Sequence, residues 1–287
     1  MKLTKLFQAG NPTLSFEVFP PKTTDKFESV KHATEKIAKL KPDFMSVTYG
    51  AGGGTSDFTV SIARNIWQNY GVTPLAHLTC VSSTKEQIDA QLKALSQSGI
   101  ENIMALRGDI PEEAPSRDNW SFQYASDLIC YIKSQGDFCI GGACYPEGHP
   151  ESETQREDIR NLVKKVEAGC DFLTTQMFFD NHILYNFLYK IREAGIQVPV
   201  VAGIMPVTNG RQIRRICQIS GNTLPPRFKQ IIDRFADHPA AMKQAGIAYA
   251  TEQIIDLFAN GVEHVHVYSM NKPDVAATIQ KNLSEIV

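Results

Sequence analysis

The sequence predicts an α/β chain folded as a single (β/α)8 TIM barrel spanning residues 1–287, and three observations carry that prediction. Eight short runs rich in Val, Ile and Phe alternate with helical stretches of about a dozen residues, the pattern of repeated βα units. No linker, low-complexity segment or internal break divides the chain, and about 250 residues is the usual size of one such barrel. The alternative for this pattern, a doubly wound open sheet, needs a GxGxxG turn. Gly50-Ala51-Gly52-Gly53-Gly54 does not form one.

In chain order the strand candidates are Thr13 to Phe19, Asp43 to Tyr49, Thr73 to Thr79 and Asn102 to Arg107. Phe138 to Tyr145, Asp171 to Phe178, Val198 to Ile204 and Val262 to Tyr268 complete the eight. A helix is expected after each. Capping candidates are Thr24 behind Pro20-Pro21, Ser83 or Thr84 before Lys85-Glu86, Asn181 after Asp180, and Asn271 before Lys272-Pro273. Ser98-Gly99, Ala168-Gly169, Ala194-Gly195 and Asn260-Gly261 each precede a strand, as a helix C-terminus followed by a short loop should. The long stretches that break the repeat, Pro111 to Ser121 and Ile219 to Pro239, fall on the loop face that carries function in barrels.

With 43% hydrophobic and 21% charged residues, the chain has the composition of a globular protein with a full core. A formal net charge of −2 and the absence of a long Lys/Arg block argue against nucleic acid as a partner and for a small molecule. No stretch approaches the roughly 18 apolar residues of a membrane span, and the N-terminus lacks the apolar core of a signal peptide. Cys80, Cys130, Cys139, Cys144, Cys170 and Cys217 form no CxxC pair. They read as reduced core thiols of a cytoplasmic protein, and against an iron-sulfur or structural zinc site.

Barrel chemistry sits at the C-terminal ends of the strands. Here those ends are polar: Glu17 within Ser15-Phe-Glu-Val-Phe-Pro-Pro, Ser46-Val-Thr48-Tyr49, His77 and Thr79, and Arg107-Gly108-Asp109. Tyr145-Pro-Glu-Gly-His149, Gln176 within Thr174-Thr175-Gln-Met-Phe-Phe, and His264-Val-His266-Val-Tyr268 continue the series. A polar group among Phe, Val and Ile costs roughly 2 to 7 kcal/mol unless partnered. Each alone reads equally well as a satisfied core group; their convergence at one mouth points to a site. Glu17, between Phe16 and Phe19, is the expected general acid, because poor solvation raises a carboxyl pKa. The competing reading is an ion pair with Arg107. Asp109 follows a glycine whose missing Cβ would let backbone approach a ligand, and a carboxylate there could tune an electron-accepting ring. Asp158, Asn161 and Lys165 share one helix face at i, i+3 and i+7, either a strip for phosphate and ribose or a solvated face.

These motifs, Ser-Phe-Glu-Val-Phe-Pro-Pro, Ser-Val-Thr-Tyr-Gly, Ala-His-Leu-Thr-Cys, Ala-Leu-Arg-Gly-Asp, Tyr-Pro-Glu-Gly-His-Pro and Thr-Gln-Met-Phe-Phe-Asp, resemble those of the methylenetetrahydrofolate reductase family, in order and over nearly the whole chain. The likeness is to the short bacterial form. It implies FAD across the barrel mouth, reduced by NADH or NADPH and reoxidised by 5,10-methylenetetrahydrofolate, a reaction of one-carbon metabolism and methionine biosynthesis, in a homo-oligomer. It implies Glu17 as the acid that protonates the folate nitrogen and Asp109 beside the flavin pyrimidine edge and the pterin. Flavin contacts carry over to Tyr49, Ala51, His77, Arg107, Gly108, Tyr124, Ala125, Tyr145 and His149, with Asp158, Asn161 and Lys165 for ribose and pyrophosphate. Thr48 falls near the nicotinamide, and Gln176, Gln212 and Lys272 near the folate.

Two positions depart from the family pattern. Ile216 stands where some bacterial members carry an aromatic, and Lys272 replaces an arginine near the folate tail, giving charge without a bidentate fork. Two other readings compete: a metal-dependent barrel hydrolase built on His77, His264 and His266, and a non-redox pterin-binding barrel. No residue that reads the ribose or its phosphate can be located, so the sequence leaves the electron donor open, with NADH the default.

Overall fold

The computed structural model describes residues 1–21, 23–49, 56–81, 83–110 and 120–287. Eight parallel strands close into one barrel in sequence order. They are β1 (Thr13–Val18), β2 (Phe44–Val47), β3 (Thr73–Thr79), β4 (Asn102–Leu106), β5 (Cys139–Cys144), β6 (Phe172–Thr175), β7 (Val200–Ile204) and β8 (His264–Tyr268). Every predicted run contains its strand. Closure is made by β1 on β8, where Ser15 faces His266 and Glu17 faces Tyr268, while on the other side Glu17 faces Ser46 of β2.

The helices are α1 (Leu3–Phe7), α2 (Phe27–Ala38), α3 (Ser56–Tyr70), α4 (Lys85–Gln97), α5 (Ala125–Gln135), α6 (Gln155–Glu167) and α7 (Asn181–Glu193), then α8 (Gly210–Ser220), α9 (Pro226–Phe235), α10 (Pro239–Ala259) and α11 (Pro273–Asn282). Strict one-to-one alternation is broken twice. Three helices lie between β7 and β8, and α9 occupies the stretch expected to be irregular. Its core, Phe228 and Ile232, packs with Met177, Phe179, Val207 and Ile213 as a side cluster beyond the strand ends. Close approach of α10 to that loop is possible because position 246 is glycine: a Cβ there would lie 1.7 Å from the Val207 carbonyl oxygen.

The second departure is α1. Leu3, Leu6 and Phe7 fall at i, i+3 and i+4, and this short helix seals the N-terminal end of the barrel. Phe7 packs its ring on Phe172, Phe44 and His264, at centroid distances of 5.1, 6.1 and 4.7 Å. Buried Asn102 ties the plug down: its Oδ1 accepts from the Leu3 amide and its Nδ2 donates to the carbonyls of Met1 and Pro74.

Helix entries follow local chemistry, with some residues reassigned. Thr84 caps α4 in a reciprocal box with Gln87, as expected. At α7 the cap is Asp180, which accepts from the His182 amide, not Asn181. Thr24 opens a 3-10 turn (Thr24–Lys26) with Thr23 as its N-cap rather than capping a helix itself. The N-cap position of α11 is Lys272, because Asn271 turns back to bind both backbone groups of Phe19. Five of the six cysteines are buried and all six are free; Cys130, on α5, is exposed rather than in the core. Among the described residues no helix is long and apolar enough to cross a membrane.

The plug yields a test. Phe7→Ala should lower the unfolding free energy by about 3 to 5 kcal/mol in urea titrations, the range for truncating a buried aromatic; a loss below about 1 kcal/mol would show that α1 is a passive appendage.

Candidate active site at the C-terminal mouth

Strand pleating sorts the residues of β1 between two environments. Leu14, Phe16 and Val18 face the helices and join the main core, whereas Thr13, Ser15 and Glu17 turn to the barrel axis. The inward column is apolar near the plug, where Phe44, Leu75, Met104, Phe172 and Val201 meet, and becomes polar above it. Ser15, Ser46, His77 and His266 form the buried polar layer. Above that layer the barrel opens into a cavity of about 1390 Å³, larger than the roughly 300 to 1,000 Å³ of ordinary small-ligand sites.

Most predicted site residues line this one space. Glu17, Thr48, Tyr49 and His77 lie on one side; Arg107, Gly108 and Asp109 close β4; Tyr124 and Ala125 stand at the rim where α5 begins. Tyr145, His149, Asp158, Asn161, Lys165 and Gln176 line the rest. Ala51 lies outside the described residues, as does most of the stretch from Pro111 to Ser121. Gln212 and Lys272 do not enter the large cavity. They meet Ile216, Met205 and Met270 in a separate small pocket between α8 and the end of β8, where Lys272 Nζ donates to Thr208 Oγ1 at 2.5 Å.

Glu17 sits deep in the mouth with 19% of its side chain exposed. Burial pushes its pKa up from 4.5 to about 8. The sequence-based cause needs revision: Phe16 points away to the helices, and the desolvation comes from the barrel interior. The ion pair with Arg107 is not formed. Arg107 makes a two-pronged fork with Glu151, at 2.7 and 2.5 Å, leaving Glu17 beside Ser46 Oγ at 3.5 Å and His77 Nε2 at 3.7 Å. Burial lowers the His77 pKa to about 4 and that of His266 to about 3, so both rings are neutral near pH 7. Glu17 is therefore a protonated acid among neutral groups.

Other assignments gain physical content. The φ of Gly108 is +90°, and a Cβ there would meet Val81 Cγ1 at 2.9 Å and Thr79 Cβ at 3.1 Å, so β3 packing and backbone shape by themselves demand the glycine. The strip on α6 lines the cavity: Asp158 and Lys165 are half-buried, Asn161 is exposed and accepts from Lys164, and Lys165 Nζ donates to the Ala143 carbonyl at 2.5 Å. Position 142 is glycine where a Cβ would lie 2.8 Å from the Lys165 stem. Thr174 Oγ1, buried in the cavity wall, has no hydrogen-bond partner.

The histidines do not assemble a metal site. His264 pairs with Thr13 near the plug, and both ring nitrogens of His266 are engaged by Ser15 and Ser46. Among the described residues no group of three or more His, Cys, Asp or Glu could hold a metal ion. Sequence reasoning assigned no role to Ser46, Tyr268 or Glu151. Period-two alternation would have placed Ser46 on the face of Thr48 and Tyr268 on that of His266; nothing local pairs Arg107 with Glu151, 44 residues away.

Comparison with known proteins agrees with this geometry. Residues 2–284 match a family described as Methylenetetrahydrofolate reductase. A 5,10-methylenetetrahydrofolate reductase of Pectobacterium carotovorum is 36% identical over 270 residues, covering 94% of this chain and 89% of the relative. Methylenetetrahydrofolate reductase (NADH) 1 of Arabidopsis thaliana is 35% identical over 298 residues, covering 99% of this chain and 50% of the plant protein. Among solved structures, a Clostridium thermocellum protein that binds two copies of 5-methyl-5,6,7,8-tetrahydrofolic acid shares the fold over the full length of both chains, with a TM-score of 0.67 and 14% identity.

The raised Glu17 pKa has a measurable consequence for stability. The folded chain keeps a proton that the unfolded chain releases, so stability falls as pH climbs from about 4.5 to about 8 and levels off above. Glu17→Gln removes that dependence. Its advantage in unfolding free energy should be near zero at about pH 4.5 and grow to at most about 3 kcal/mol at pH 7; a gain independent of pH would refute the shift.

Proposed function

Because this chain belongs to the methylenetetrahydrofolate reductase family, we propose that it reduces 5,10-methylenetetrahydrofolate to 5-methyltetrahydrofolate with FAD as its cofactor and NADH as electron donor. The observation that carries the reading is Glu17, a carboxylic acid kept protonated at neutral pH in the wall of a cavity large enough for a dinucleotide. The donor set fits FAD: flat aromatic walls at Tyr49 and Tyr145, a long strip of polar groups at Asp158, Asn161 and Lys165, and the unpaired Thr174 hydroxyl in the wall. Bound there, FAD supplies a ring that takes hydride from a reduced nicotinamide and yields it to the folate. NADH is favoured as donor by the plant relative that carries it in its name; NADPH is the alternative.

Each residue then has a distinct task. Tyr49, His77, Arg107, Gly108, Tyr124, Ala125, Tyr145 and His149 hold and orient the cofactor, with Ala51 assigned the same role by resemblance; Thr48 borders the nicotinamide. Glu17 gives its proton to the folate nitrogen as the methylene bridge opens, which needs an acid with a pKa near the working pH. Asp109, exposed at the end of β4, provides a negative charge for the cationic folate and against an anionic reduced ring. Gln176 reads the pterin through its amide. Gln212 and Lys272 take the folate tail in the adjoining pocket, where Lys272 offers charge but no fork and Ile216 an apolar contact without ring stacking.

The test is optical. The purified protein should be yellow or take up FAD, bleach anaerobically with NADH, and regain colour on addition of 5,10-methylenetetrahydrofolate; a preparation that stays colourless with added FAD would sink the proposal. Glu17→Gln should bleach at nearly the normal rate and fail to recolour, a loss of at least about 100-fold for a general acid. Equal damage to both half-reactions would remove the acid role. Lys272→Arg should lower the KM for the folate about fivefold at similar kcat, the equivalent of about 1 kcal/mol for a stronger charge-assisted contact; a raised KM would place the folate tail elsewhere.

A further inference from the structure

The mechanism above leaves unused a chain of buried hydrogen bonds beneath Glu17. Ser46 Oγ lies 2.9 Å from His266 Nε2, and His266 Nδ1 lies 2.7 Å from Ser15 Oγ. Ser15 Oγ in turn donates to the Val265 carbonyl at 3.0 Å. Ser15 and Ser46 are fully buried and His266 is 2% exposed. Above them, Ser46 Oγ lies at the outer limit of hydrogen bonding, 3.5 Å, from Glu17 Oε2. Each serine has one proton to give, so the chain can run in only two senses.

In one sense Ser15 gives its proton to Val265, His266 donates from Nδ1 to Ser15, and Ser46 gives its proton to Nε2. Every proton then has an acceptor, and the series ends on a carbonyl that can only accept. Ser46 has no proton left for Glu17. In the reverse sense Ser15 donates to Nδ1, His266 donates from Nε2 to Ser46, and Ser46 donates to a Glu17 oxygen, which accepts whether the carboxyl is ionised or neutral; the Val265 carbonyl then loses its Ser15 donor at 3.0 Å in exchange for a contact of only 3.5 Å. Were the carboxyl ionised, the anion would be buried without a cation: the titratable groups facing it are His77 of β3, His266 and Tyr268 of β8, all neutral near pH 7. Farther up the mouth, Arg107 is committed to Glu151 and Lys165 to the Ala143 carbonyl. An unpaired buried charge costs far more than the one bond it gains from a hydroxyl at 3.5 Å.

We propose that His266 is a positioning residue for the proton donor: held as its Nδ1–H tautomer by Ser15, it takes the only hydroxyl proton of Ser46, so that Ser46 turns a lone pair, not a proton, toward Glu17. The lone pair opposes ionisation of the carboxyl, and at 3.5 Å it is too distant an acceptor to hold the acid proton strongly. This role rests on the acid function proposed for Glu17, but the arrangement itself is a property of the folded chain.

Nitrogen-15 NMR of the histidine-labelled protein at about pH 6, with and without added FAD and with the His266 signals identified by their loss in His266→Gln, reads the tautomer. A proton-bearing Nδ1 and a bare Nε2 are expected; a proton-bearing Nε2 would overturn the proposal. The second measurement is the carbon-13 titration of the Glu17 carboxyl in the parent and in Ser46→Ala, which deletes only a hydroxyl. The lone-pair arrangement predicts that the midpoint falls by about half a unit to one unit, because an obstacle to the anion is removed. A rise would mean that Ser46 had been donating to the carboxylate, and the proposal would fail. The alkaline limit of folate-dependent recolouring should move in step, with bleaching by NADH as the internal reference. Failure of the protein to bind flavin or reduce the folate would remove the proposed function, while both NMR readings would still decide the arrangement of the chain.

Discussion

Closure of the sheet on itself is the constraint on which the rest depends. Eight parallel strands with no free edge turn every second side chain toward a common axis, and the space along that axis is finite. Near the N-terminal end it is filled by Phe44, Leu75, Met104 and Phe172 and capped from outside by Leu3 and Phe7. Apolar filling there excludes water from below, so the polar layer of Ser15, Ser46, His77 and His266 can reach solvent only through the mouth. A polar group in that layer must be satisfied by another inward-facing group or by a ligand. Ser15, Ser46 and His266 satisfy one another; Thr174 does not, and it lies in the cavity wall.

Charge is distributed by the same rule. Away from the axis the mouth carries formal charge, with Arg107 matched to Glu151. At the axis itself the groups are neutral: Glu17 by retaining its proton, His77 and His266 by losing theirs, and Tyr268 by burial that raises its pKa well above 10. Desolvation is the leading cause in each case, and it acts in opposite directions on acids and bases because it penalises whichever form is charged. The result is a single stored proton facing a large cavity. Maintaining it lowers the stability of the fold at neutral pH, the familiar trade between a poised site and a relaxed one.

The β7–β8 excursion adds a second, smaller environment. Helices α8 to α10 carry their own apolar cluster, and Asn222 latches this unit to the mouth by donating to Glu147 and to the Met177 carbonyl. Gln212 and Lys272 belong to this unit and to the loop after β8, which explains why they gather in their own pocket beside the main cavity.

Periodicity along the chain was enough to determine the eight strands, most of the helices and the end of the barrel at which polar residues would collect, because a parallel barrel repeats one local unit and each unit is legible by itself. Motif resemblance identified the family for the same reason: its residues sit at strand ends, in sequence order. The raised pKa of Glu17 was also legible, though Phe16, one of the neighbours expected to cause it, was misread, since adjacent residues of a strand face opposite sides. Tertiary structure alone decided the partners. Arg107 chooses Glu151 over Glu17, Asn271 binds Phe19 instead of capping α11, and His266 stands between Ser15 and Ser46 because β8 pairs with β1 across more than 200 residues. Such contacts depend on register and closure, which are set by the packing of the whole sheet, and no local window of sequence contains them.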